Sequence, residues 1–362
     1  MSLNKCPVCF KELSGEEVCP ECGAKVSKIA EVDNCLPLFT VVGGRFEIGT
    51  IAARDKYCVE YYAFDKENND VCRVTEFFPQ QGAVRAEDKV TVVPLEEHMK
   101  DYKFSFRRFK ERTAILEQHS NLEAIIPLRK SFAENETYYY ASDVVKGKTL
   151  RSYTNGAMKA AEAFEMIKPV VTALGVLHNA GIIHRGVSPD TIIVTDGGKL
   201  VLTGLEFARD CMSRSELTVM LKSGYSAPEQ YGSSGQGPWT DVYGICATIY
   251  WLITGSTPPD FFEVQENKDA LVDLSSMAYG ITAEQNNAIM KGLKIKAEDR
   301  WQNVTELEKA LYEGINSVSA PSEDNSVKNT VSKEQKKDKP PYAIIGAAAA
   351  AVIIIIALIL LL

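Results

Sequence analysis

A chain of 362 residues with 45% hydrophobic and 24% charged residues has room for one or two domains and the make-up of an ordinary globular protein. Its formal net charge of −8 speaks against a general nucleic-acid binder, which needs a basic face. Nine cysteines, four of them in two C-x-x-C pairs and the rest scattered, fit a reducing compartment with a metal site better than a secreted disulfide framework.

Residues 1–30 carry the pairs, Cys6-Pro-Val-Cys9 and Cys19-Pro-Glu-Cys22-Gly23. Each knuckle presents two thiolates from a tight turn, and the two together make the tetrahedral sulfur set that zinc prefers. The segment is expected to be a small zinc ribbon with Cys6, Cys9, Cys19 and Cys22 as ligands and Zn²⁺ as a structural cofactor. A redox pair and a rubredoxin-type iron site are the other chemistries this spacing admits. Four protein ligands leave no open position for catalysis, and so short a segment depends on its metal to fold. Glu12, Glu16, Glu17 and Glu21 offset the lysines of this segment and leave it without net positive charge, which favours protein contact over nucleic acid. These polar first thirty residues do not read as a secretory leader.

Residues 38–313 alternate strand-like and helix-like patterns over a length suited to a two-lobed α+β domain. A series of motifs runs through them in order: Arg45-Phe46-Glu47-Ile48, His119-Ser120-Asn121-Leu122, Leu177-His178-Asn179-Ala180-Gly181-Ile182-Ile183-His184, Ala227-Pro228-Glu229, Thr240-Asp241-Val242-Tyr243-Gly244 and Asp299-Arg300-Trp301. From about Arg45 to Leu311 the chain resembles a bacterial protein serine/threonine kinase of the eukaryotic-like type. The resemblance implies a two-lobed kinase-like fold. It also implies that Asp241 anchors the loop after His184, and that Arg300 pairs with Glu229.

At the chemical positions the resemblance lapses. The family's catalytic loop reads H-R-D with Asn four residues after the Asp-x pair; the Asp accepts the substrate proton and the Asn holds magnesium. Here Gly186 and Thr191 stand at those places, and Ser188 replaces the loop lysine. The three phosphate-loop glycines fall on Ala53, Asp55 and Cys58, where side chains obstruct the backbone and Asp55 would set an anion beside a triphosphate. Thr75 stands at the nucleotide lysine, and its usual glutamate partner aligns with Arg112, so that ion pair cannot form. The magnesium motif falls on Gly204-Leu205-Glu206; a two-residue slip would instead read Glu206-Phe207-Ala208 as its degenerate form. Glu60 and Arg73 align with the two small residues that sandwich adenine. They would either pair across adjacent strands and fill the adenine space, or swing to solvent.

Residues 314–341, rich in Ser, Asn, Lys and Pro, read as a flexible tether with a reach of roughly 30 Å. The final segment, 342–362, holds the uncharged run Ala343–Leu362, which as a helix spans about 30 Å, one hydrocarbon core. Lys333, Lys336, Lys337 and Lys339 precede it, which by the positive-inside rule puts the head in the cytoplasm of a single-pass membrane protein. The expected architecture is thus ribbon, kinase-like domain, tether and transmembrane helix.

The functional expectation is a membrane-anchored pseudokinase that acts as a signalling scaffold or regulator, with ATP/Mg²⁺ binding not expected. Its partner is a protein, such as an active kinase or that kinase's substrate, and no nucleic acid is expected. Ser213, Ser215, Thr218 and Ser223 are candidates for phosphorylation in trans, though solvated loop hydroxyls are the plainer reading. The alternative is an atypical transferase that sets Glu206, Asp190 or Asp196 on a metal.

Overall fold

The computed structural model describes residues 3–29, 32–205, 221–232, 235–276 and 280–313. The expected tether, membrane helix, Glu206-Phe207-Ala208 motif, and Ser213, Ser215 and Thr218 lie outside these residues. Among the described residues no helix is long and apolar enough to cross a membrane.

The first lobe runs in chain order through Val41–Val42 (β1), Phe46–Arg54 (β2), Cys58–Asp65 (β3), Asp70–Phe77 (β4), Ala83–Arg85 (β5), Val92–Pro94 (β6), Met99–Gln118 (α1), Leu128–Glu134 (β7) and Thr137–Ser142 (β8). Among the described residues these strands form an antiparallel sheet in the order β1-β2-β3-β4-β8-β7, with β5 and β6 as a separate hairpin. Register decides what each face carries, because side chains alternate along a strand. Pairing Tyr61 with Val74 and Ala63 with Cys72 puts these buried residues on one face. Glu60 opposite Thr75 and Tyr62 opposite Arg73 then share the other.

Helix α1 packs on the face that bears Phe77. Its buried residues Tyr102, Ser105, Phe109, Arg112, Thr113 and Leu116 recur at helical spacing. Phe77 meets Phe109 at 5.3 Å between ring centroids, and Phe109 meets Tyr140 at 5.8 Å. Cys35 and Leu36, just ahead of the expected domain start at residue 38, already belong to this lobe's core.

On the opposite face the fully buried Glu76 carboxylate is the centre of a polar network. It accepts hydrogen bonds from Arg85 Nη1 at 2.7 Å, Tyr139 Oη at 2.8 Å and Tyr61 Oη at 3.0 Å. The Leu36 amide donates to Tyr61 Oη at 3.1 Å, which ties the incoming chain to the same network. A charge taken out of water is tolerable only when its lone pairs are met this completely.

The second lobe comprises Gly147–Thr149 (β9), Leu150–Tyr153 (α2), Ala160–Asn179 (α3), Ile192–Thr195 (β10), Leu200–Leu202 (β11), Pro238–Thr254 (α4), Phe261–Glu266 (α5), Ala283–Gly292 (α6) and Val304–Tyr312 (α7). Its core is built around α4, buried continuously from Thr240 to Ile253, as expected of a helix apolar on all sides. Pro238 occupies its first turn, and Gly255 ends it by donating its amide to Trp251 O at 2.8 Å. Arg300 is itself buried and pairs bidentately with Glu229, Nη1 to Oε1 at 2.9 Å and Nη2 to Oε2 at 3.0 Å.

Replacing Arg85 with alanine strands the Glu76 carboxylate in the core and should cost ~3–5 kcal/mol in a urea titration. The double change Glu76→Leu/Arg85→Met removes both charges and should recover part of that loss.

Candidate functional site

The loop after α3 is held from below by one carboxylate. Asp241, in the first turn of α4, accepts from the His184 amide at 2.7 Å, the Arg185 amide at 2.6 Å and His178 Nε2 at 2.8 Å. Burial pushes its carboxyl up, but the His178 hydrogen bond and the loop's favourable field outweigh it, leaving Asp241 below the ordinary carboxylate range. The grip holds Arg185 at a φ of +64°, a backbone state that side-chain-bearing residues seldom take. Helix and loop approach so closely that a Cβ on Gly244 would lie 2.8 Å from Val187 O.

Inside the loop the polar groups answer one another. His184 Nδ1 accepts the Gly186 amide at 3.1 Å, so its Nε2 carries the proton donated to Thr203 O at 2.8 Å. Thr191 Oγ1 lies 2.8 Å from Gly186 O and accepts the Ser188 amide at 3.0 Å, closing the turn on itself. Gly204 lies beside His184, its Cβ position 3.7 Å from the imidazole. The next residue, Leu205, accepts from Arg112 Nε at 2.7 Å, so Arg112 ties α1 to this segment.

One contact was not foreseen from the sequence. Lys222, just ahead of Ala227-Pro228-Glu229, sends its ammonium 2.8 Å from Ser188 Oγ and 4.0 Å from Asp190 Oδ2. Asp190 also accepts from Arg151 Nε at 2.8 Å. An ammonium therefore stands beside the position that lost its lysine, delivered from another segment. The only sequence signal was a lysine five residues before Ala227, which means nothing until the two loops meet.

The cleft lies under the sheet. Glu60, Arg73 and Thr75 line its roof, Ser142, Asp143 and Val145 its rear edge, and Leu202 and Thr203 its floor, around a cavity of about 190 Å³. Arg73 Nε lies 3.7 Å from Glu60 Oε1, and its guanidinium stacks on the Tyr62 ring at 3.6 Å. Of the two expectations for these residues, the structure has them facing each other rather than swung apart. The pair stands along the roof and a cavity remains, smaller than the ~300 Å³ at which ligand pockets usually begin.

Asp55 is held within its own turn. Its carboxylate turns back onto its own hairpin and accepts the amides of Tyr57 at 2.6 Å and Cys58 at 2.7 Å. Burial raises its pKa while those amides oppose the rise. The turn between β2 and β3 is short, and this Asx-type closure engages the carboxylate within the turn itself. Cys58 is buried in the core of the lobe, and Ala53 pairs with Glu60 in the β2–β3 ladder.

The four N-terminal cysteines come together. Cys6 and Cys22 sulfurs are 3.6 Å apart, Cys9 and Cys19 sulfurs 3.5 Å, and all four ligand atoms lie within 4.8 Å of one another. Tetrahedral zinc with Zn–S near 2.3 Å requires sulfur separations of about 3.8 Å, so the set fits the ion. Burial works against the Cys19 thiolate, but the backbone amides of Cys22 and Glu21 outweigh it and bring the thiol to about 7.

Residues 85–324 match the family described as "Protein kinase domain". Over 228 residues the chain is 28% identical to a probable serine/threonine-protein kinase of Clostridium perfringens, covering 60% of this chain and 33% of that protein. It is 26% identical over 214 residues to serine/threonine-protein kinase PknB of Mycobacterium leprae, covering 56% of this chain and 34% of the other. The chain thus spans about a third of the length of these relatives. Among solved structures, the apo form of PpkA-294 superposes with a TM-score of 0.60 at 25% identity, over 77% of this chain and 99% of that one.

Asp241 is held below its ordinary value of about 4, so its contribution is present above that pH and lost as pH falls through and below it. Asp241→Asn should therefore melt earlier at pH 7, by ~3–5 kcal/mol, and show a shallower acid-side decline than the parent chain. Elemental analysis of the purified chain should find one zinc ion per chain. Cys6→Ser with Cys19→Ser should abolish it.

Proposed function

The chain belongs to the protein kinase domain family, and from that premise we propose that it is a pseudokinase, a kinase-fold head that works by docking a protein partner. Phosphoryl transfer needs a residue to position the nucleophile and carboxylate or amide oxygens to hold magnesium. The observation that carries the reading is the loop His184–Thr191. It is fully anchored by Asp241, yet offers no side-chain oxygen at Gly186, and its Thr191 hydroxyl is engaged in closing the turn. A positioned base alone is worth ~10²–10⁴-fold, and it is one of several groups replaced here.

The roof of the cleft supports the same reading. Thr75 carries no charge for a phosphate, Arg112 is turned to Leu205, and the cavity is small. The zinc ribbon is the structural N-terminal element of this head. The run Ala343–Leu362 anchors it to a membrane with residues 314–341 as tether, which raises its effective concentration for partners at the same bilayer. Those partners are an active kinase or that kinase's substrate.

A second reading has one specific observation behind it. The Lys222 ammonium beside Ser188 returns a cation to the catalytic loop, as an atypical transferase would need. Against it, Asp190 is already paired with Arg151, which lowers its availability to a metal.

Thermal unfolding with ATP, with and without Mg²⁺ or Mn²⁺, separates the two. A ligand at a hundredfold its Kd adds ~2.7 kcal/mol, or about 5–10 °C for a domain this size. The expected result is no shift of that size and no phosphate transfer to any acceptor. A shift lost in Lys222→Met, together with labelled product, would establish the transferase instead.

A further inference from the structure

We infer that the Cys6–Cys9 knuckle is a metal-held clasp whose partner is the free edge of strand β2 in the same chain, so that zinc occupancy sets the order of the hairpin roofing the cleft. The inference rests on the zinc assignment and stands whether or not the cleft transfers phosphate. Strand β2 pairs with β3 along one edge. On its other edge β1 covers only Phe46 and Glu47, and the Phe39–Thr40 backbone covers Ile48. From Gly49 onward that edge would present unpaired amides, the groups that recruit another strand.

The knuckle meets it there. Pro7 O, between two cysteine ligands, accepts the Thr50 amide at 2.8 Å. The fit requires the absence of a side chain: a Cβ on Gly49 would lie 2.0 Å from Pro7 O and 2.9 Å from the Phe10 ring. Lys5 Nζ lies 3.0 Å from both Glu47 carboxylate oxygens, and its ammonium sits 5.6 Å from the Phe10 ring centroid and 5.8 Å from that of Phe64. Phe10 and Phe64 rings are 5.7 Å apart, which joins the knuckle to β3 as well.

What keeps the knuckle in shape is not a core of its own. Its own buried cluster is Leu13 and Val26 beside Cys6 and Cys19, while Phe10, also buried, packs on Phe64 of β3. A segment with so little to bury is ordered by its metal. Removing the ion therefore releases Pro7 and Phe10, and with them the Thr50 amide. The disturbance has a short path to the cleft, because Ala53 on β2 pairs with Glu60, the roof residue facing Arg73.

The test is hydrogen exchange on the full detergent-solubilised chain, zinc-loaded and after removal of zinc by a chelator, read on peptides spanning β2 and α4. A second arm uses Gly49→Ala, which keeps all four cysteines. Both the zinc-free chain and zinc-loaded Gly49→Ala should exchange β2 at least about tenfold faster, with α4 unchanged and one zinc per chain retained in the variant. Equal protection of β2 in either arm overturns the clasp. Should Gly49→Ala unfold, seen as lost protection in α4, zinc-loaded Lys5→Ala takes its place, and unchanged β2 exchange in it overturns the proposal. A chain that neither carries nor takes up zinc also overturns it, while leaving the pseudokinase reading untouched.

Discussion

The Asp241 carboxylate is the constraint on which the functional half of this protein depends. It sits inside the second lobe at the start of the most deeply buried helix and reaches two consecutive amides of the loop above, with the His178 ring as its third donor. A buried anion exposed to three donors is stabilising only while all three remain in place, so helix, loop and α3 are locked as one piece. The Arg300–Glu229 pair does the same for the segment after the loop. The second lobe thus keeps a rigid platform under a cleft whose chemical groups have changed.

Those changed groups are mostly satisfied by their own surroundings. Thr191 bonds within its turn, Asp55 caps its hairpin, and Arg73 lies between Glu60 and the Tyr62 ring. Thr191 and Asp55 would have to leave existing hydrogen bonds to serve a nucleotide, whereas Arg73 has a long ion pair to Glu60 and, among the described residues, a buried Nη1 without a hydrogen-bond partner. The Cys6–Cys9 segment meets the edge of β2 through Pro7, which accepts the Thr50 amide.

Legibility from sequence followed the range of the interaction. The C-x-x-C spacing was readable because each knuckle is local and the chemistry of four thiolates is restrictive. The pairing of Arg300 with Glu229 and the anchoring role of Asp241 came from the family resemblance, and both appear in the structure as contacts. The turn hydrogen bonds of Asp55 were not legible, because an alignment gives a position along the chain, not the turn geometry around it. Glu76 went unnoticed for a different reason. Its partners Arg85, Tyr61 and Tyr139 come from three separate strands, and a glutamate in a strand reads as surface until the sheet's outer face is seen to be covered.

By itself the sequence marked the two C-x-x-C pairs, the protein-kinase-like domain, a polar stretch and an apolar terminal run. These follow from residue type and short spacing, which need no knowledge of distant neighbours. Tertiary structure alone decided that the Cys6–Cys9 segment lies against β2, that Lys222 stands beside Ser188, and that a cavity lies between Glu60 and Arg73 above and Leu202 and Thr203 below. Each of these joins segments far apart in the chain, and their contact depends on strand register and loop path, quantities that composition and local pattern do not encode.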